Sequence, residues 1–215
     1  FGDSHATNLY ESIVKNPENS NQPFLVGLTK NGCHLPAIEE GCQYSQIMEF
    51  VERSPTMFSN AIYEKAGFKM LALDFAREEL RYKETGLPAI DHSVVEGVLS
   101  YLEQLDEYVA VTWFGPRLAP LVTESELVNK TCAGNFGLTE AHVNVYTNLD
   151  NTLKSALSES EVQYLSQIDA YKFEFPRDFG GCDGLYWVDR NHFSDLGESV
   201  FGLRYNILSN IGAGE

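Results

Sequence analysis

The chain has 215 residues, with 31 acidic side chains against 15 basic ones and a formal charge of -16. Phosphate recognition rests on clustered Lys and Arg, so this balance argues against nucleic acid and equally against an anionic membrane surface. A chain this long buries roughly 70–75% of the surface its unfolded form exposes, and no apolar run approaches the length of a membrane span.

In chain order, Leu9, Tyr10, Ile13 and Val14 share one face and predict a helix beginning just after Ser4. The apolar run 24–28, behind Pro23, reads as a buried strand ending at Asn31-Gly32. Residues 43–52 read as a helix striped by Ile47, Phe50 and Val51, and residues 68–73 as a second buried strand. Ser93-x-x-Glu96 is a capping box that opens a helix lined by Val94, Val95, Val98, Leu99 and Leu102. Residues 108–114 form a third strand, stopped by Gly115-Pro116. Residues 151–158 are predicted helical, 163–175 contain a weaker strand, and 197–208 form a final amphipathic helix.

Near-continuous apolar strands alternating with helices indicate a parallel sheet covered on both faces. No repeat or linker divides the chain, so residues 1–215 are expected to form one α/β domain. Functional residues in such sheets gather at the carboxyl ends of strands, here Asp3-Ser4, Asn31-Gly32, Asp74-Phe75 and Trp113 to Gly115. Gly2-Asp3-Ser4 reads as a strand-end turn with almost no strand before it, so the sequence is expected to be a fragment of a longer chain.

Cysteines stand at 33, 42, 132 and 182, with no Cys-x-x-Cys pair and no His offset that completes a zinc site. Buried thiols and two disulfides both fit, and placement beside Gly32, Pro36, Gly41 and Gly180-Gly181 favours disulfides in an oxidising compartment. Ser4, between a strand and a helix start, exposes its hydroxyl beside free backbone N–H groups, although on position alone it reads first as a plain N-cap. Asp3 can accept from those helix-start amides. Asp189 and His192 lie three residues apart and can face the same way in a turn. A carboxylate that fixes an imidazole's tautomer, while the imidazole takes a serine proton, is the logic of a catalytic triad. Taken alone, that pair reads first as a solvated loop pair.

Together, Gly-Asp-Ser-His-Ala at residues 2–6 and Asp-x-x-His-Phe-Ser-x-x-Gly at residues 189–197 resemble the SGNH (GDSL-type) hydrolase superfamily. The sequence is most similar to the SGNH domain fused behind acyltransferase-3 membrane domains in bacterial glycan O-acyltransferases. Phe193 stands where that family has Leu, and the loop from Asn31 to Pro36 followed by Cys42, and the segment through Cys182, resemble its two cysteine regions. The resemblance implies a flavodoxin-like three-layer sandwich with Ser4 as nucleophile, His192 as base and then acid, and Asp189 as orienting carboxylate. It also implies an oxyanion hole from the Ser4 and Gly32 amides. The family's Gly-x-Asn-Asp block has no clear match: the corresponding strand end reads Leu73-Asp74-Phe75, and an ionised Asp74 would oppose a developing oxyanion. The short, Gly/Pro-shaped span between them predicts a Cys33–Cys42 disulfide, leaving Cys132 with Cys182, though sequence permits all three connectivities.

Remaining candidates favour structural roles. His5 is expected to point away from the nucleophile as packing, and His34 to be a solvated loop residue. Trp113, Phe114 and Arg117 offer a sugar platform, against which Trp113 reads better as core. Asn129-Lys130-Thr131 fits the glycosylation pattern, and the absence of Gly-x-Ser-x-Gly and His-Glu-x-x-His sequences removes α/β-hydrolase and zincin readings. The leading expectation is serine-dependent O-acyl, chiefly O-acetyl, transfer to or from an extracytoplasmic bacterial glycan, without cofactor, in a periplasmic domain tethered by an N-terminal membrane acyltransferase domain. The alternatives are a free-standing carbohydrate esterase or lipase and a non-catalytic glycan-binding module.

Overall fold

The structure, a computed structural model, describes residues 1–21, 25–37, 41–54, 56–65, 67, 90–118, 140–189 and 191–211. Helix α1 (Ser4–Lys15) is followed by α2 (Tyr44–Arg53), strand β1 (Asn60–Glu64), α3 (His92–Asp106), β2 (Ala110–Phe114) and α4 (Glu140–Ala156). Then come β3 (Gln163–Leu165), α5 (Gln167–Tyr171), the short ribbon β4 (Gly180–Gly181) and β5 (Gly184–Leu185), and α6 (Asp195–Arg204).

Strands β1, β2 and β3 pair in parallel in that order, and parallel bridges from Gly2 to Glu64 and to Thr29 extend the sheet beyond β1. Read across the sheet, the chain positions run 2-1-3-4-5, the flavodoxin-like arrangement, whose crevice lies where the order reverses. That reversal falls between Gly2 and β1, so Ser4 emerges from the sheet at its switch point. Gly2 has φ +143°, and a Cβ there would lie 2.0 Å from the Glu64 carbonyl oxygen. Gly2→Ala is therefore expected to lower stability by about 1–3 kcal/mol or more. A urea midpoint matching wild type would show that the strand pairing tolerates a side chain at this point.

Side-chain alternation along the central strand builds two cores. Val111 and Trp113 face a layer made by Ile47 and Val51 of α2, Val98, Leu102 and Leu105 of α3, and Leu149 and Leu153 of α4. Phe114 faces the opposite layer, with Leu9 and Ile13 of α1, Tyr171, Trp187, Phe193 and Phe201. Burying each large apolar side chain contributes about 1.5–3 kcal/mol, so both faces of the sheet are stabilised as an α/β three-layer sandwich.

Several boundaries differ from the sequence reading. Of the run 24–28, the described residues 25–28 form no buried strand: they have no regular structure, Thr29 bridges to Gly2, and Val26 and Leu28 are exposed because this is the sheet's edge. The central strand β1 lies at Asn60–Glu64, where no strand was predicted, while the expected strand at 68–73 and Asp74-Phe75 lie outside the described residues. The third strand begins at Ala110 rather than at 108. Asp91, not Ser93, caps α3, its carboxylate accepting from the amides of Ser93 and Val94. The predicted helix at 151–158 is the end of the longer α4. The weak strand at 163–175 contracts to β3, because Ser166 caps a new helix by accepting from the Asp169 amide. The tail helix starts earlier, at Asp195, and ends at Arg204 before a 3-10 turn, Ile207–Ser209.

Candidate active site

Asp3 is the N-cap of α1, its carboxylate accepting from the His5 amide at 2.9 Å. Ser4 is thus the first helical residue rather than the cap, and its hydroxyl is left for other partners. The first turn of a helix presents backbone N–H groups without intrahelical acceptors, which favours negative charge nearby.

The second element is the loop between β5 and α6. An antiparallel bridge pairs Trp187 with Phe193, and the Val188 amide donates to the His192 carbonyl at 3.0 Å. Within this closed loop Asp189 Oδ1 accepts from the amides of Asn191 and His192, both at 2.8 Å. Ser194 caps α6 by accepting from the Gly197 amide, and a Cβ on Gly197 would lie 1.9 Å from the Tyr186 carbonyl oxygen. Phe193, Ser194 and Gly197 therefore build the turn, and Phe193 is buried in the core.

These two elements bring three side chains into line across 188 residues of sequence: His192 Nε2 lies 2.7 Å from Ser4 Oγ, and His192 Nδ1 lies 2.8 Å from Asp189 Oδ2. Burial pushes the Asp189 carboxyl up, but hydrogen bonds from the His192 ring and from the two loop amides outweigh it and hold the pKa at about 2. The carboxylate is consequently ionised throughout the neutral range, as an orienting partner of an imidazole must be.

The Gly32 loop borders the same crevice. Cys33 and Cys42 form a disulfide with an S–S distance of 2.04 Å, and Gly32 has φ +81° with open space on its Cβ side. His34 is half-buried beside the start of α1, its Nδ1 3.1 Å from Asp3 Oδ2. Cys132 and Asn129-Lys130-Thr131 lie outside the described residues, as does any pairing of Cys132 with Cys182.

Beneath the crevice lies a buried polar network that the sequence did not expose. Glu64 at the carboxyl end of β1 pairs with Arg117 Nη2 at 2.5 Å and accepts from Gln167 Nε2 at 2.6 Å. Arg117 also donates to the His5 carbonyl and to Asn8 Oδ1, and its guanidinium lies 4.0 Å from the centre of the Phe193 ring. Trp113, Phe114 and Arg117 are all buried, so they form no sugar platform. Asn8 stands four residues after Ser4, a spacing that places both on one helix face, which is the one signal sequence offered for this network.

His5 does not point away from the site. Its ring packs edge-on against His192 with centroids 5.1 Å apart, and Glu64 Oε1 lies 4.0 Å from its Nδ1. Burial, reinforced by the Arg117 charge, holds its pKa well below 6.5, while Asp3 and Asp189 oppose that shift. A group kept neutral in the fold but protonated in the unfolded chain loses stability as pH falls below its unfolded pKa. His5→Gln should therefore shrink the drop in melting temperature between about pH 7 and pH 5. Equal drops in the two proteins would rule out His5 as the source.

No protein-family model matches the chain, and no curated protein matches it. Among solved structures, the chain is similar to a carbohydrate acetylesterase family member from Sinorhizobium meliloti, with a TM-score of 0.56 and 10% identity, covering 100% of this chain and 97% of that one. It is also similar to a second carbohydrate acetylesterase from the same organism, with a TM-score of 0.48 and 10% identity over 86% of this chain and 76% of that one. At this identity the first likeness shows the fold alone, an α/β sandwich. What this particular chain does must be argued from its own side chains. Among the described residues, no group of three or more His, Cys, Asp and Glu side chains could hold a metal ion, and no helix is long and apolar enough to cross a membrane.

Proposed function

We propose that the protein is a serine esterase that removes acyl groups, chiefly acetyl, from a carbohydrate. The observation that carries this reading is the continuous line Ser4 Oγ, His192 Nε2, His192 Nδ1, Asp189 Oδ2, with contacts of 2.7 and 2.8 Å. Ser4 Oγ attacks the ester carbonyl as its proton passes to His192 Nε2, and Asp189 stabilises the imidazolium through Nδ1–H. The oxyanion is received by the Ser4 and Gly32 amides, at a helix start already disposed to negative charge. Collapse breaks the bond to the sugar oxygen, which takes the proton from His192 and departs as a hydroxyl, leaving an acyl-Ser4 ester. Water, deprotonated by His192, then attacks that ester, and the carboxylic acid leaves as Ser4 Oγ recovers the proton. The carbohydrate as substrate rests on the name of the structural neighbour, and the chemistry rests on the triad.

A second reading, transfer of the acyl group to a glycan hydroxyl in place of water, is favoured by the similarity of residues 2–6 and 189–197 to the acyltransferase-fused SGNH domains. In that reading an N-terminal membrane acyltransferase domain tethers the protein and supplies the donor. The Cys33–Cys42 disulfide supports an extracytoplasmic location under either reading. A fluorophosphonate probe should label wild-type protein at the peptide containing Ser4. Adding an acetylated xylo-oligosaccharide should release acetate, and adding an unacetylated glycan acceptor instead separates hydrolysis from transfer. Labelling at Ser194, or none at all in folded protein, overturns the serine mechanism and leaves the glycan-binding reading.

A further inference from the structure

We propose that Asn8 is the positioning residue that fixes His192 against Ser4, an inference that rests on the esterase reading above. Ser4 and His192 belong to elements 188 residues apart, so their 2.7 Å contact must be set by something that ties α1 to the 187–193 loop. The loop orders itself internally through Asp189 and the Trp187–Phe193 bridge, but those contacts say nothing about where it sits on α1.

Asn8 supplies that tie at the residue next to His192. Its Oδ1 accepts from the Phe193 amide at 3.0 Å and its Nδ2 donates to the Phe193 carbonyl at 3.4 Å, so one side chain grips both backbone groups of one residue. The amide cannot turn over: Nδ2 donates to Glu198 Oε1 at 2.6 Å, while Oδ1 accepts from Arg117 Nη1 at 3.3 Å. A flipped amide would set its oxygen against a carboxylate and its nitrogen against a guanidinium. Both neighbours are themselves anchored, Arg117 by Glu64 and Glu198 by Lys15, and Arg117 also underlies the Phe193 ring. Because Asn8 follows Ser4 by one helical turn, nucleophile and clasp are parts of one rigid body. The Ser–His distance is thereby set by the geometry of a helix rather than by that of a loop.

The test is steady-state turnover of 4-nitrophenyl acetate, together with the rate of Ser4 labelling by a fluorophosphonate, in the full chain. Misplacing a reacting group by about 1 Å costs about 100-fold, so Asn8→Ala should lower kcat by about 10–100-fold with KM within about twofold, and slow labelling by a similar factor. Val98→Ala, in the core on the other face of the sheet, should lower the melting temperature while leaving kcat unchanged. Asn8→Asp keeps the acceptor for the Phe193 amide but opposes Glu198, so Asn8→Asp with Glu198→Gln should recover several-fold over Asn8→Asp alone. This pair keeps the question open to measurement if Asn8→Ala does not fold. Wild-type kcat in Asn8→Ala, a loss confined to KM, a matching loss in Val98→Ala, or no recovery in the double variant overturns the proposal alone. A wild-type protein that neither turns over nor is labelled overturns the esterase reading with it.

Discussion

Ser4→Ala and His192→Ala are each expected to reduce turnover of an activated acetyl ester by about 10⁴-fold or more, to near background. Ser4→Ala removes the oxygen proposed to carry the acyl group, and His192→Ala removes the proposed base 2.7 Å from it. Both side chains are only partly buried, so the folded state should survive, with melting temperatures close to wild type. Members of a catalytic unit do not act additively, so the double variant should be little worse than either single one. Full activity in folded Ser4→Ala protein would refute the assignment outright. A double variant far slower than both single variants would mean that the two groups act in separate steps.

Asp189→Asn should lower kcat by about 10²–10⁴-fold through the tautomer of His192. The loop would keep its shape, because the new amide oxygen can still accept from the Asn191 and His192 amides, as Oδ1 does now. The new NH₂ would then face His192 Nδ1 at the 2.8 Å contact and require that nitrogen to accept. The ring proton is forced onto Nε2, the atom that must receive the serine proton. Since hydrogen bonds from the His192 ring and the loop amides hold the native carboxylate at about 2, the acid limb of the wild-type rate profile should not report Asp189. The measurements are kcat against pH for both proteins and ¹⁵N chemical shifts of the His192 ring. A variant with wild-type kcat, or with its proton on Nδ1, would contradict this account.

How much of this was legible beforehand differs by element. The alignment of Ser4, His192 and Asp189 was legible because the three lie in two short motifs, each carrying its own local geometry: a helix start at Asp3-Ser4 and a tight turn at Asp189–His192. Helices α1, α2 and α3 were legible because one face of each must be apolar, and 3.6-residue periodicity records that in order along the chain. Strand β1 was not legible. Asn60–Glu64 carries a buried Glu64 whose partners, Arg117 and Gln167, lie 53 and 103 residues away, so a strand that looks half polar is stabilised only once the sheet forms.

The same distinction governs the site as a whole. Sequence by itself determined which side chains are candidates for chemistry, that strands and helices alternate into an α/β sheet, and that Cys33 and Cys42 are close enough to pair. Tertiary structure alone decided that residues 25–28 lie at an exposed edge, that His5 packs against His192, and that His34 reaches Asp3. It alone also decided that Arg117 lies beneath Phe193 instead of on a sugar-binding surface. The reason is physical. Helix caps, turns and amphipathic faces are satisfied by neighbours a few residues away, whereas a buried charge or amide finds its partners on elements that meet only when the sheet has closed.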